Sequence, residues 1–110
     1  LAGKFDGVSV RVPVITGSIS DITLLLNTQT TAEELNAFFV DSAKSEKYHN
    51  IVTTTDEPLV SSDIVGNTHS AIIDLAMTRV VDGDLVKVMA WYDNEWGYSH
   101  RLVELVQKMS

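Results

Sequence analysis

Apolar residues recur at every second position along two adjacent stretches, residues 71–81 and 85–92. In the first, Ile73, Leu75 and Met77 fall on one side and Ile72, Asp74 and Ala76 on the other. In the second, Val86, Val88, Ala90 and Tyr92 oppose Leu85, Lys87, Met89 and Trp91. A period of two predicts a strand for each. The Asp82-Gly83-Asp84 step between them suits a tight turn, so the pair predicts an antiparallel hairpin. At Asp93-Asn94-Glu95 the alternation stops. Asp or Asn is a favourable helix cap and Glu suits a first turn. Leu102, Leu105, Val106 and Met109 then follow at spacings of three and four, which predicts a helix from about residue 95 to 109. The unpaired N–H groups at such a start can receive an anion or a carbonyl. Spacing alone equally fits a plainly capped helix with Trp91 and Trp96 as packing.

The remaining pattern is less regular. Residues 3–7 read as a turn. Val8, Val10 and Val12 alternate with Ser9 and Arg11, a predicted strand that Pro13 closes. Residues 18–27 read as a strand buried on both faces towards its end. Thr31 and Glu34 form a capping box, and Leu35, Phe38, Phe39 and Ala43 make residues 31–44 an amphipathic helix whose Phe pair covers the sheet. Short strands are predicted at 51–54 and 59–61, separated by a turn at Asp56-Glu57-Pro58. The whole is an α+β layout, an antiparallel or mixed sheet with helices on one face. No Gly-rich strand-turn-helix is present in these residues, so they carry no dinucleotide fold of their own.

Composition narrows the chemistry. With 110 residues, 45% of them hydrophobic, the chain makes one small domain with a real core. A net charge of −7 argues against a nucleic-acid or acidic-membrane surface. No apolar run reaches the roughly 20 residues of a membrane span, and no signal-peptide pattern opens the sequence. The absence of cysteine excludes a thiol nucleophile and thiolate metal sites within these residues and fits a reducing cytosol. His49, His69 and His100 lack metal-ligand spacing. His69 and Ser70 are adjacent, so in an extended chain they point to opposite faces and make no hydrolase pair. Arg11 reads as a solvated or ion-paired strand residue, or as a guanidinium able to hold a phosphate with its planar fork.

Three segments carry a family resemblance. WYDNEWGYS (91–99) resembles the C-terminal signature of the phosphorylating glyceraldehyde-3-phosphate dehydrogenases. GVSVRVP (7–13) resembles their G-x-x-x-R-V-P, and PLVSSD (58–63) an architectural segment near a subunit contact. After RVP the family's common Thr-Pro-Asn type run is replaced here by VITGSIS, which bears on the branch of the family. The resemblance covers essentially the whole chain and implies the last third of a longer subunit, an expectation that the opening Leu1 suits. Residues 1–94 would be part of the catalytic domain, and 95–110 a helix packing on the cofactor domain with its apolar stripe bare in this chain.

The resemblance implies further that Arg11 binds the phosphate of glyceraldehyde 3-phosphate or inorganic phosphate. Asn94 would hydrogen-bond the nicotinamide carboxamide of NAD, and Tyr98 would lie beside the ring; NADP is decided elsewhere in such an enzyme. The implied reaction is cytoplasmic and glycolytic. A cysteine thiolate attacks the aldehyde, hydride passes to NAD, and phosphate releases 1,3-bisphosphoglycerate, in a homotetramer. The nucleophile and its histidine match no position here, so no catalytic residue and no metal ligand is assigned, and the chain by itself is expected to be inactive. An erythrose-4-phosphate dehydrogenase has a related tail. A freestanding anion-binding module built on Arg11 and an assembly module built on the apolar surfaces are the readings from other classes.

Overall fold

The computed structural model describes residues 2–110. Its elements are β1 (Ser18–Leu25), α1 (Ala32–Lys44), β2 (Val52–Thr55), a 3-10 turn (Ser61–Ile64), β3 (Ala71–Val81), β4 (Leu85–Tyr92) and α2 (Asn94–Met109). The strands form one sheet in the order β1-β4-β3-β2. β4 pairs antiparallel with both β1 and β3, and β2 adds parallel to β3, so the sheet is mixed and the layout α+β.

The strand with neighbours on both sides holds the core. Val86, Val88 and Ala90 of β4 are buried, with Ile72 of β3 and Ile64 of the 3-10 turn. Each of the buried Val and Ile side chains contributes on the order of 1.5–3 kcal/mol. The β3–β4 hairpin forms as the alternation predicts. Its turn is made by Asp82 at φ +52° and Gly83 at φ +78°, and a Cβ on Gly83 would run into the Gln29 side chain. The backbone angle therefore favours glycine there, whereas the flexible end of Gln29 could swing aside.

The alternation of β3 is broken in its middle. Asp74 faces Met89 while Arg79 faces Lys87, so residues 75–78 stand opposite Val88 alone. Such a bulge leaves carbonyls without ladder partners. Arg79 satisfies two of them, donating from Nη1 to the Ala76 and Thr78 carbonyl oxygens at 2.8 and 2.7 Å.

α1 opens with the predicted capping box. The Glu34 N–H donates to Thr31 Oγ1 at 3.2 Å and the Thr31 N–H to Glu34 Oε2 at 3.1 Å. The helix lies against β2 and β3, where Asn36 Nδ2 donates to the Leu75 carbonyl at 3.0 Å.

Four local expectations are corrected. Residues 8–12 form no strand, because no neighbouring segment among the described residues offers the ladder that a strand needs. Residues 59–61 are not a strand either. Pro58 has no N–H to give, and Asp63 Oδ2 accepts the Val60 N–H at 2.8 Å, which starts the 3-10 turn instead. β1 is an edge strand, largely exposed, with Leu25 76% accessible rather than buried. Within the Phe pair only Phe39 turns partly inward. Phe38 is exposed and touches it edge-on, with ring centroids 5.9 Å apart.

Candidate functional site

β4 ends and α2 begins at a single buried carboxylate. Asp93 is 1% exposed. Its Oδ1 accepts the N–H groups of Glu95 and Trp96 at 3.1 and 3.0 Å, capping α2, and its Oδ2 accepts the Gly66 N–H at 2.9 Å. Of the two cap candidates in the sequence, Asp93 takes the role and Asn94 becomes the first helical residue. Burial pushes the Asp93 carboxyl up, but hydrogen bonds from the Trp96, Gly66 and Glu95 amides outweigh it and hold the carboxyl below its usual value.

Asn94 and Tyr98 are one helical turn apart, so they share a face. Both are exposed, and both line an open recess of about 410 Å³ together with Ser70, Gly97 and Arg101. The recess floor is tied down. A Cβ on Gly97 would lie 3.0 Å from the His69 carbonyl oxygen, so the helix approaches the loop before β3 more closely than any other residue there would permit without a shift. Arg101 donates from Nη1 to the Asn50 carbonyl at 3.1 Å and to Ser70 Oγ at 3.2 Å, and from Nη2 to Glu104 at 2.7 Å. Beneath the junction Trp91 Nε1–H donates to buried Asp74 Oδ2 at 3.1 Å, whereas Trp96 is 56% exposed.

Arg11 lies apart from this recess. It is exposed on the segment 8–12 and engages in no ion pair among the described residues. The nearest tie between that stretch and α2 is Thr16 Oγ1, which donates to Glu95 Oε2 at 3.0 Å. So the structure brings two of the three expected residues together and leaves the third outside. Ser70 is committed to Arg101, and His69 Nδ1 sits 2.9 Å from Asn67 Oδ1, which is no nucleophile–base geometry. Burial lowers the His69 pKa, and the charges of Arg101, His100 and His49 lower it further. His69 and His49 share a second recess with Lys44, of about 290 Å³, between the end of α1 and β2. No group of three or more His, Cys, Asp or Glu among the described residues is placed to hold a metal ion, and none of these helices is long and apolar enough to cross a membrane.

Sequence reasoning missed two contributors. Arg101 stands seven residues beyond Asn94 and three beyond Tyr98, a helical spacing visible in the sequence. The link from Asp93 to Gly66 had no such signal, since it joins positions 27 residues apart.

Comparison with known proteins is consistent across the chain. Residues 1–94 match the family model described as glyceraldehyde 3-phosphate dehydrogenase, C-terminal domain. The glyceraldehyde-3-phosphate dehydrogenase 2 of Streptomyces avermitilis is 50% identical over 105 residues, 96% of this chain and 31% of the relative. The Mycobacterium tuberculosis glyceraldehyde-3-phosphate dehydrogenase is 50% identical over 106 residues, again 96% of this chain and 31% of the relative. That of Borreliella burgdorferi is 46% identical over 110 residues, 99% of this chain and 33% of the relative. The chain thus spans about a third of the length of these curated relatives. By this match the chain belongs to the glyceraldehyde-3-phosphate dehydrogenase family, within its C-terminal region.

Proposed function

We propose that these residues serve in an NAD-dependent, phosphorylating glyceraldehyde-3-phosphate dehydrogenase, as the wall that holds the nicotinamide and one phosphate. The observation that carries the reading is the shared recess: Asn94 and Tyr98, the two residues the family signature singles out, line the same open space at the start of α2. That space fits an amide-bearing ring. Asn94 is exposed with its side chain able to donate and accept, which matches a carboxamide, and the Tyr98 ring one turn on supplies a flat apolar flank. When bound, NAD supplies the hydride acceptor. The residues here orient it, and Asn94 selects which face of the ring is presented.

Arg11 holds phosphate, from the triose or from inorganic phosphate. Its exposure, with no ion-pair partner among the described residues, leaves the guanidinium available for two phosphate oxygens. The thiol nucleophile and its base come from outside these residues, which contain no cysteine. In that setting the enzyme is a cytoplasmic homotetramer of glycolysis. Residues 1–94 belong to its catalytic domain, and α2 packs its apolar stripe on the cofactor domain. The exposure of Leu102, Leu105, Val106 and Met109 supports that placement of α2.

The reading is tested by replacing the matching C-terminal third of the Mycobacterium tuberculosis relative with this sequence. The hybrid is expected to reduce NAD with glyceraldehyde 3-phosphate, and this chain alone is not. Arg11→Lys in the hybrid should raise the KM for triose phosphate and for inorganic phosphate by about tenfold, the scale of one lost charge-assisted hydrogen bond. Unchanged values for both would remove Arg11 from the site. A hybrid that prefers erythrose 4-phosphate would redirect the substrate.

A further inference from the structure

Asn94 and Tyr98 ride on a helix that no strand of the sheet packs against extensively. Apart from the exposed Thr16–Glu95 hydrogen bond, three residues spaced four apart hold it to the loops before β2 and β3: Asp93, Gly97 and Arg101. Residues at that spacing stack on one side of a helix. Each meets a different piece of backbone: Asp93 the Gly66 amide, Gly97 the His69 carbonyl, Arg101 the Asn50 carbonyl together with the Ser70 hydroxyl. We propose that these three are positioning residues that fix the tilt of α2, and with it the place of Asn94 against the nicotinamide. The inference rests on the cofactor reading of Asn94.

Each member does something a simpler residue could not. A helix cap alone asks for one acceptor, which Ser, Thr or Asn supplies. Asp93 uses both carboxylate oxygens, one on the helix and one on the Gly66 loop, and only a group that accepts at both ends does this. Gly97 sits where a Cβ would press on the His69 carbonyl from 3.0 Å, so a larger residue tips the helix or moves the loop before β3. Arg101 spreads one planar fork over two loop acceptors and Glu104, which the single point of a lysine cannot reproduce.

Beyond Arg101 no comparable tie within the described residues constrains the helix. Leu102, Val103, Leu105, Val106 and Met109 are all exposed, between 45 and 79%. The stripe is thus the hinge pin of α2 in this chain, and the two site residues sit directly beside it. A displacement of about 1 Å at a reacting centre can cost on the order of 100-fold in rate. A helix held at three points keeps the Asn94 amide within that tolerance.

The test is a set of double-mutant cycles in the hybrid enzyme, read as the Kd for NAD and as the stereochemistry of deuteride transfer. Asn94→Ala sets the reference and is expected to weaken NAD about tenfold. Asp93→Asn keeps the shape and the cap but loses the second acceptor. Arg101→Lys keeps the charge but loses the fork. Each is expected to weaken NAD three- to tenfold, to raise the share of deuteride delivered to the wrong ring face, and to add little once Asn94 is already Ala. Effects that multiply with Asn94→Ala, or a lowered melting temperature with Kd and stereochemistry unchanged, would make the stripe merely structural and overturn the inference. If Asn94→Ala itself leaves NAD affinity and stereochemistry untouched, the cofactor reading fails, and this one fails with it. The two failures are told apart by that reference variant.

Discussion

Val8, Val10 and Val12 alternate with polar residues in one segment; Val86, Val88 and Ala90 alternate in another. The first three are 91, 77 and 54% exposed; the second three are 1, 6 and 7% exposed. The side chains are nearly the same, and so is their spacing. What differs is the neighbourhood. β4 has β1 on one side and β3 on the other, so its backbone groups are paired and its side chains meet apolar partners. Residues 8–12 have neither. A strand's stability therefore belongs to its pairing rather than to its own sequence. The two proposed ligand contacts divide the same way. Asn94 follows the paired strand at the start of α2, while Arg11 sits on the unpaired segment.

The sharpest break of this comparison is a charge on each. Val86→Asp buries a carboxylate without a partner and should destabilise the domain by roughly 3–5 kcal/mol, enough to unfold it. Val10→Asp should stay within about 0.5 kcal/mol. Urea denaturation of the two variants decides the matter, and equal losses would show that residues 8–12 are packed in solution.

Asp93→Ala comes next. It removes a cap and leaves the Gly66 amide unpaired, an expected loss of about 2 kcal/mol seen as a lower denaturation midpoint. The same carboxylate sets an acid limit. Its folded pKa is depressed, so its contribution is complete above the unfolded value of 3.8 and is lost as pH falls below that value towards the folded pKa. Asp93→Asn should flatten the stability profile in that range. An identical profile for variant and parent would mean that the buried carboxylate does not titrate with folding.

His69 should act at milder pH and with a smaller effect. Its folded pKa lies below 6.5, so the unfolded chain binds the proton more readily, and stability drops as pH falls below 6.5. His69→Gln should remove that slope from melting temperatures measured between about pH 5 and 7. A slope that survives the substitution would show that His69 is not its source.

The smallest effect is expected where β1 meets β4. Lys87 Nζ lies 2.8 Å from Asp21 Oδ2, but both side chains are about half exposed, 46 and 51%. Asp21→Asn should cost under about 1 kcal/mol, and salt should erase the difference. A larger, salt-resistant loss would show that this edge is more firmly ordered than its exposure indicates.

Much of this was legible in the sequence because the signals are local. Thr31 and Glu34 cap their own helix, Asp82-Gly83 turn their own hairpin, and Asp93-Asn94-Glu95 start their own helix within three residues. The same locality misled at residues 59–61, where Asp63 captures the Val60 amide, and at residues 75–78, where a bulge is settled by how β3 meets β4. The candidate site shows the same split. Asn94 and Tyr98 were readable as neighbours, being one turn apart, whereas the ties from Asp93 to Gly66 and from Arg101 to Asn50 join positions that no local pattern connects.

The sequence by itself determined the α+β class, the hairpin, both helices with the cap of α1, and the family signature, since each rests on local spacing. Only the tertiary structure decided which alternating run becomes a strand, which carboxylate is buried, and where α2 is pinned. Those outcomes depend on pairing and burial between distant segments, and it is there that an extended run either finds a ladder or stays in water.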